Sequence, residues 1–346
     1  MQKMRNHIKN ILNKLKENAK KLTSKSVINA IIRALPIAVC ALIIAVYLGA
    51  PNKILPPTPF AVIEFTNTWA GFIGAFALFF FVWNIIALFF ERARKRLQKG
   101  APIYTVIFVL FLLYDVAVLK LAIFPQPFFP WPDAILRAMI SDSSMLLKSL
   151  GHSLSILLIG YIIGGGLGIV LGVSAGLMAR ARQFIRPFAR FFSSVPIVTW
   201  VPIMVFIPIG FYLRAVFLIA LGVSVPVTLM TMNGVLAIPK STIEAARTFG
   251  IGKAAMIYKV AVPASAPSIF NGLAAGMGVA CTALIIAEMM GVPAGIGWYI
   301  DMQRGFLNYA AMYGAIVVLS LTFFAVNAVL NFIKKYALRW KAGKDL

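Results

Sequence analysis

Apolar side chains run in blocks long enough to cross a bilayer, broken by short segments rich in lysine and arginine. A hydrocarbon core of about 30 Å takes roughly 20 residues of helix. Eight stretches have that length: 28–49, 67–90, 102–124, 150–178, 191–211, 214–236, 267–290 and 310–333. The fifth and sixth are separated only around Phe211 to Arg214, which predicts a tight hairpin. At the amino terminus, Ile8, Ile11, Leu12, Leu15, Ala19 and Leu22 recur at helical spacing between lysines. Residues 1–33 therefore read as a basic amphipathic helix lying on a membrane surface. A solvated basic tail and a cleaved signal peptide are the competing accounts.

Composition fixes the class. With 61% apolar and 12% charged residues, the chain lies beyond the apolar share of about 45–50% typical of soluble domains. The expected fold is all-α, a polytopic membrane helical bundle of about eight transmembrane helices. The 33 basic residues against 10 acidic ones would point to nucleic acid in a soluble chain. Here 27 of the 33 fall in 1–33, 91–100, 179–190, 237–259 and 334–346, which all share one face if the amino terminus is cytoplasmic. Lys and Arg are retained on that face during insertion. Both termini are therefore expected inside, with membrane lipid as the partner of the positive charge and no nucleic acid. Cys40 and Cys281 fall within apolar runs, and His7 and His152 stand in no cluster, so neither a disulfide framework nor a metal site is expected.

The chain divides into a basic segment 1–33, a module of about three spans over 34–145, and a five-span unit over 146–340 that carries the unusual motifs. In its first span Gly160, Gly164, Gly168, Gly172 and Gly176 recur every fourth residue, and Gly272 and Gly276 repeat the device later. Such stripes let a second helix approach almost backbone to backbone, which is helix packing rather than chemistry. Pro196, Pro202 and Pro208 interrupt the fifth expected span, with Trp200 among them. Broken helices in a membrane face protein or a water-filled path, so Pro196, Trp200 and Pro202 are candidates for a translocation path. Intramembrane carboxylates are costly and purposeful. Asp115 is expected to pair with Lys120, and Glu288, ahead of Gly291, Gly295 and Gly297, either bonds neighbouring backbone or serves the path.

The loop 237–263 is the most structured of the basic segments. Ser241-Thr242-Ile243-Glu244 has the spacing of a capping box. It predicts a helix from Ile243 to Phe249, with Gly250 as a left-handed cap. A second helix is expected from Lys253 to Val260, ending at Pro263.

Glu244-Ala245-Ala246, Gly250 four positions later, and then Val260-Ala261-Val262-Pro263 resemble the EAA signature of ABC-transporter inner-membrane permeases. Val260 and Val262 stand where that pattern often has Ile and Leu. The resemblance covers about 145–340. SLSILLIGYIIGGGLGIVLG (153–172), SVPIVTWVPI (194–203) and IIAEMMGVPAGIGWYI (285–300) look like the branch serving nitrate, alkanesulfonate and taurine uptake. It implies a permease subunit of a prokaryotic cytoplasmic-membrane importer, moving a small anion such as a sulfonate, taurine or nitrate. It also implies a second permease copy, an extracytoplasmic solute-binding protein, and cytoplasmic ATPase subunits that receive Glu244, Ala245, Ala246, Gly250 and Pro263. ATP and Mg would be bound by that partner. The chain has no G-x-x-x-x-G-K-[ST] loop, and Gly250-Ile251-Gly252-Lys253-Ala254 lacks both the spacing and the hydroxyl. No cofactor is expected in the chain, and it is not expected to be an enzyme. The alternative is an ion-coupled secondary carrier using Asp115 and Glu288.

Overall fold

The structure, a computed structural model, describes residues 27–52, 67–289 and 293–339. The expected surface helix of 1–33 lies outside the described residues as far as residue 26. Every regular element among the described residues is helical. Among the described residues seven helices are long and apolar enough to cross a membrane, and an eighth crossing exists if a pair bent by 96° counts as one. The chain separates into two compact units at Arg137/Ala138.

The first unit holds α1 (Val27–Gly49), α2 (Thr68–Phe89) and α3 (Glu91–Asp115), which continues through a wide π turn, Val116–Lys120. The next helix, α4 (Pro132–Ser141), runs across the division. Its core is aromatic. Phe80 is buried, and its ring lies 5.2 Å from Tyr104 and 5.9 Å from Phe108, centre to centre. Trp69 meets Phe111 edge-on at 5.8 Å. Such pairs add about 0.5–1.5 kcal/mol each beyond area burial. The buried Asp133 carboxylate is satisfied by the Trp69 backbone N–H at 3.0 Å and by Arg137 at 3.3 Å.

The expected pairing of Asp115 with Lys120 does not form. Lys120 Nζ donates instead to the carbonyls of Tyr47 (3.0 Å) and Ala50 (2.6 Å) and to Asn52 Oδ1 (2.7 Å). The last carbonyls of a helix have no partner of their own. Here three acceptors gathered at the end of α1 outcompete one carboxylate for the ammonium.

In the second unit α5 (Ser143–Leu177) has 35 residues, roughly 50 Å of helix. The expected fifth span, 191–211, is not a helix. α6 (Ala179–Ser194) ends at Val195, which is extended (φ −96°, ψ 119°) because the following Pro196 excludes the helical region. A 3₁₀ turn, Ile197–Trp200, leads into α7 (Val201–Val205), and Pro202 sits in its first turn, where a missing N–H costs nothing. The basic segment 179–190 is itself helical. Arg180, Arg182, Arg186 and Arg190 lie on an amphipathic helix whose Phe184, Phe188 and Phe191 are exposed.

Then come α8 (Phe211–Leu236), α9 (Lys240–Thr248), α10 (Lys253–Ala255), a π turn Met256–Ala261 and α11 (Val262–Met289). The unit closes with α12 (Ile296–Gly305) and α13 (Tyr309–Ala337). Its centre is the α5, α8, α11 trio. A Cβ on Gly160 would stand 2.8 Å from Ile219 Cβ, one on Gly168 2.7 Å from Val227 Cβ, and one on Gly172 2.5 Å from Thr231 Cβ. The carbonyls of Val216, Ala220, Ser224 and Thr228 face Gly160, Gly164, Gly168 and Gly172 in turn. That repeat is the geometry of weak Cα–H···O contacts. α8 also receives Gly272 and Gly276 of α11 beside the same two valines, where an added Cβ would lie 3.1 Å from Val227 Cα and from Val223 Cγ1 respectively.

Candidate functional site

The segment after α8 differs from its sequence reading at both ends. No capping box forms. The helix starts at Lys240, with Pro239 as its N-cap and no side-chain cap bond, so Ser241 lies inside the first turn. Proline fixes its own φ near the value needed to enter a helix, which moves the start ahead of the serine. The far end is built on glycine. Gly250 has φ +72°, its N–H reaches the Arg247 carbonyl at 2.9 Å, and the Ile251 N–H reaches Ala246 at 3.1 Å. This pair of bonds closes a helix by a Schellman motif, which needs a residue tolerant of positive φ.

The second short helix expected to stop at Pro263 does not stop. Lys253–Ala255 passes through the π turn into α11, giving one continuous span, Met256–Met289. A proline ring clashes with the carbonyl four residues before it. The wider π turn ending at Ala261 supplies the local slack for Pro263.

α9 rests on the ends of the central trio. Ala246 is buried, and Ile243 packs with Val173, Val235, Ile238 and Ala261. Glu244 and Ala245 face outward, and Phe249 is 85% exposed, with Ile257 and Tyr258 also exposed nearby in sequence. A large apolar side chain held out on an otherwise basic segment marks a contact surface.

A second feature is a cavity of about 490 Å³ between the bent segment, α8 and α11. It is lined by Pro196 and Trp200, with Phe192, Gly222, Pro226 and Thr282 among the rest, and no lining side chain is charged. Phe192 stacks on Trp200 at 5.0 Å. Pro202 and Glu288, the other expected path residues, are not on this wall.

Glu288 is instead sealed at the far end of α11, 0% exposed. Its Oε1 accepts from Ser153 Oγ at 2.6 Å and its Oε2 from the Gly297 N–H at 2.8 Å, while Ser153 Oγ accepts from the Ile296 N–H at 2.8 Å. One carboxylate thereby ties α5 and α11 to the amino end of α12, whose free N–H groups favour negative charge. Gly295, with φ +109°, has no room for a side chain because Glu288 occupies that space. At the next turn Tyr299 donates to Asp142 at 2.6 Å. Burial, then that hydrogen bond, pushes the Tyr299 phenol above its ordinary range. Sequence reasoning missed Ser153. Its only signal was that it is one of three serines, with Ser149 and Ser155, just ahead of the glycine stripe.

These features define a multi-pass membrane transport subunit: a tightly packed helical core, a cavity at a broken helix, and a capped helix mounted at the core's end. Residues 164–341 match the family described as binding-protein-dependent transport system inner membrane component. The chain belongs to that family, and is the permease subunit of an ABC-type importer rather than an enzyme. It is 28% identical over 184 residues to a putative aliphatic sulfonates transport permease protein of Bacillus subtilis, covering 53% of this chain and 66% of that relative, just under two thirds. It is 26% identical over 251 residues to the taurine transport system permease protein of Escherichia coli, covering 70% of this chain and 90% of that one. A nitrate import permease protein of Leptolyngbya laminosa is 28% identical over 188 residues, 54% of this chain and 67% of that relative. Among solved structures, an inward-facing methionine ABC transporter is 21% identical, with TM-score 0.47, covering 57% of this chain and 98% of that one.

Proposed function

We propose that this chain moves a small anion of the sulfonate, taurine or nitrate class, delivered outside by a solute-binding protein, and that it works as a pair of identical subunits. The named substrates of its relatives support the anion. α9 is the element that docks into a groove on a cytoplasmic ATPase subunit. The observation that carries this reading is the mounting of α9: its inner face is fixed to the ends of α5, α8 and α11, while Glu244, Ala245 and Phe249 remain outward. Closure of the ATPase pair then pushes on α9. The trio follows as a rigid body because its backbones already touch, which is what switching between inward- and outward-open arrangements requires. The cavity beside Trp200 is this subunit's part of the path.

For both termini to lie inside, the bent pair Ala179–Ser194 and Ile197–Val205 must count as one crossing, so that α8 begins outside and ends at α9 inside. The ion-coupled carrier finds less support, since Glu288 has both oxygens engaged by Ser153 and Gly297.

The test is co-purification of the ATPase subunit with the full chain. Glu244→Lys and Gly250→Val, the latter forcing a β-branched residue to positive φ, should each reduce the retained ATPase about tenfold or more. That factor corresponds to about 1.4 kcal/mol of docking energy. Undiminished retention in both, with monodisperse protein, removes α9 as the docking element.

A further inference from the structure

The amino-terminal unit contains a carboxyl group that no other part of the fold explains. Asp115 is 0% exposed, stands where α3 gives way to the wide turn, and among the described residues neither of its oxygens has a hydrogen-bond partner. The other two fully buried carboxylates are answered: Asp133 by the Trp69 N–H and Arg137, and Glu288 by Ser153 and Gly297. The cation closest along its own helix, Lys120, is turned to Tyr47, Ala50 and Asn52. The remaining titratable groups in this neighbourhood are Tyr47 on α1, which feels the charges of Asp133, Asp115 and Arg137, and those two α4 residues, which are engaged with each other.

A buried carboxylate that accepts no hydrogen bond, with its nearest cation turned to other acceptors, is a costly form of this side chain, and the neutral acid is cheaper. The π turn adds a second oddity, because such widened turns are frequent at functional positions. Here the turn begins directly after Asp115 and ends with Lys120.

We propose that Asp115 is a proton-binding site of the amino-terminal unit, occupied while Lys120 caps α1, and that loss of the proton draws the Lys120 ammonium across to the new carboxylate. The step balances: the O–H bond breaks, its electron pair stays on the carboxylate, and the proton leaves to the water that reaches exposed Asn52. Asp115 and Lys120 together pass from one positive charge to none. The end of α1 loses its three-acceptor clamp at the same moment, so proton occupancy is read out as the position of that helix end. The proposal does not depend on the transported solute.

The test uses the full chain in lipid vesicles and infrared difference spectra of wild type against Asp115→Asn across pH. A carboxylic-acid C=O band lost in Asp115→Asn, present at neutral pH and fading as pH rises, is the expected result. Carboxylate bands alone at neutral pH overturn the proposal. Lys120→Gln removes the cation that receives the carboxylate, so the band should persist to a proton concentration at least about tenfold lower. An unchanged midpoint overturns the exchange with Lys120. If Asp115→Asn does not fold, Asp115→Glu must show the same acid band at a displaced frequency, and its absence counts against the site.

Discussion

The two units of this protein hold their helices by opposite means. In the amino-terminal unit, α2 and α3 meet through rings, with Trp69, Phe80, Tyr104 and Phe108 packed in one cluster. In the carboxy-terminal unit α5, α8 and α11 meet through the absence of side chains, with glycines set against the neighbouring backbone. Aromatic packing tolerates adjustment, because rings can shift while contact is kept. Glycine packing tolerates less, because the Cβ positions on α5 are already filled by α8 carbonyls and by the β-branched Ile219, Val223, Val227 and Thr231. The difference teaches where close packing is concentrated: the trio on whose ends α9 rests is the tightly packed one.

The comparison breaks most directly at glycines of the two kinds. Gly164→Leu should destabilise by about 3 kcal/mol, since an added Cβ already meets Ala220 and Val223. Gly74→Leu should be neutral or stabilising by up to about 1 kcal/mol, since nothing lies within 4 Å of its Cβ position and helix propensity improves. Thermal unfolding of both variants in the same detergent checks this. Equal losses would mean that the units pack alike.

The buried carboxylates sharpen the contrast. Glu288→Ala strands the Ser153 hydroxyl and the Gly297 N–H and should cost about 2 kcal/mol, with faster hydrogen exchange over α12. Asp115→Ala removes a group with no partner and should cost less than about 0.5 kcal/mol. A larger loss at Asp115 than at Glu288 reverses the ordering.

The smallest effect is at Tyr299. Its phenol is held protonated in the folded state, so its contribution is full at neutral pH and is lost as pH rises through the alkaline range. Tyr299→Phe should cost about 1 kcal/mol at neutral pH and flatten the alkaline part of the stability profile. An unaltered alkaline slope would assign that loss to other groups.

Much of this was legible in the sequence because it depends on local spacing. Apolar run lengths located seven long helices to within a turn or so at most ends, and the four-residue glycine period placed Gly160 to Gly176 on one face, the face that meets α8. Gly250 was readable as a positive-φ cap because the motif is complete within six residues. What failed had a partner far away or a competitor close by. Lys120 was expected to seek Asp115 five residues off, but its acceptors lie at the end of α1, about 70 residues away in the chain. The Ser153 contact with Glu288 joins residues 135 positions apart. The broken fifth crossing was misread because its apolar content is high enough for a helix, while Pro196 decides the backbone. The capping box lost to Pro239, two residues ahead of it.

The unbroken course of α11 has one more consequence. A chain hinged at Pro263 would let the membrane stretch stay still while its foot swung. Met256–Met289 instead runs on through the π turn without a break, so the residues beside α9 and Glu288 are two ends of one rod, and at the far end Ser153 and Gly297 join that rod to α5 and α12.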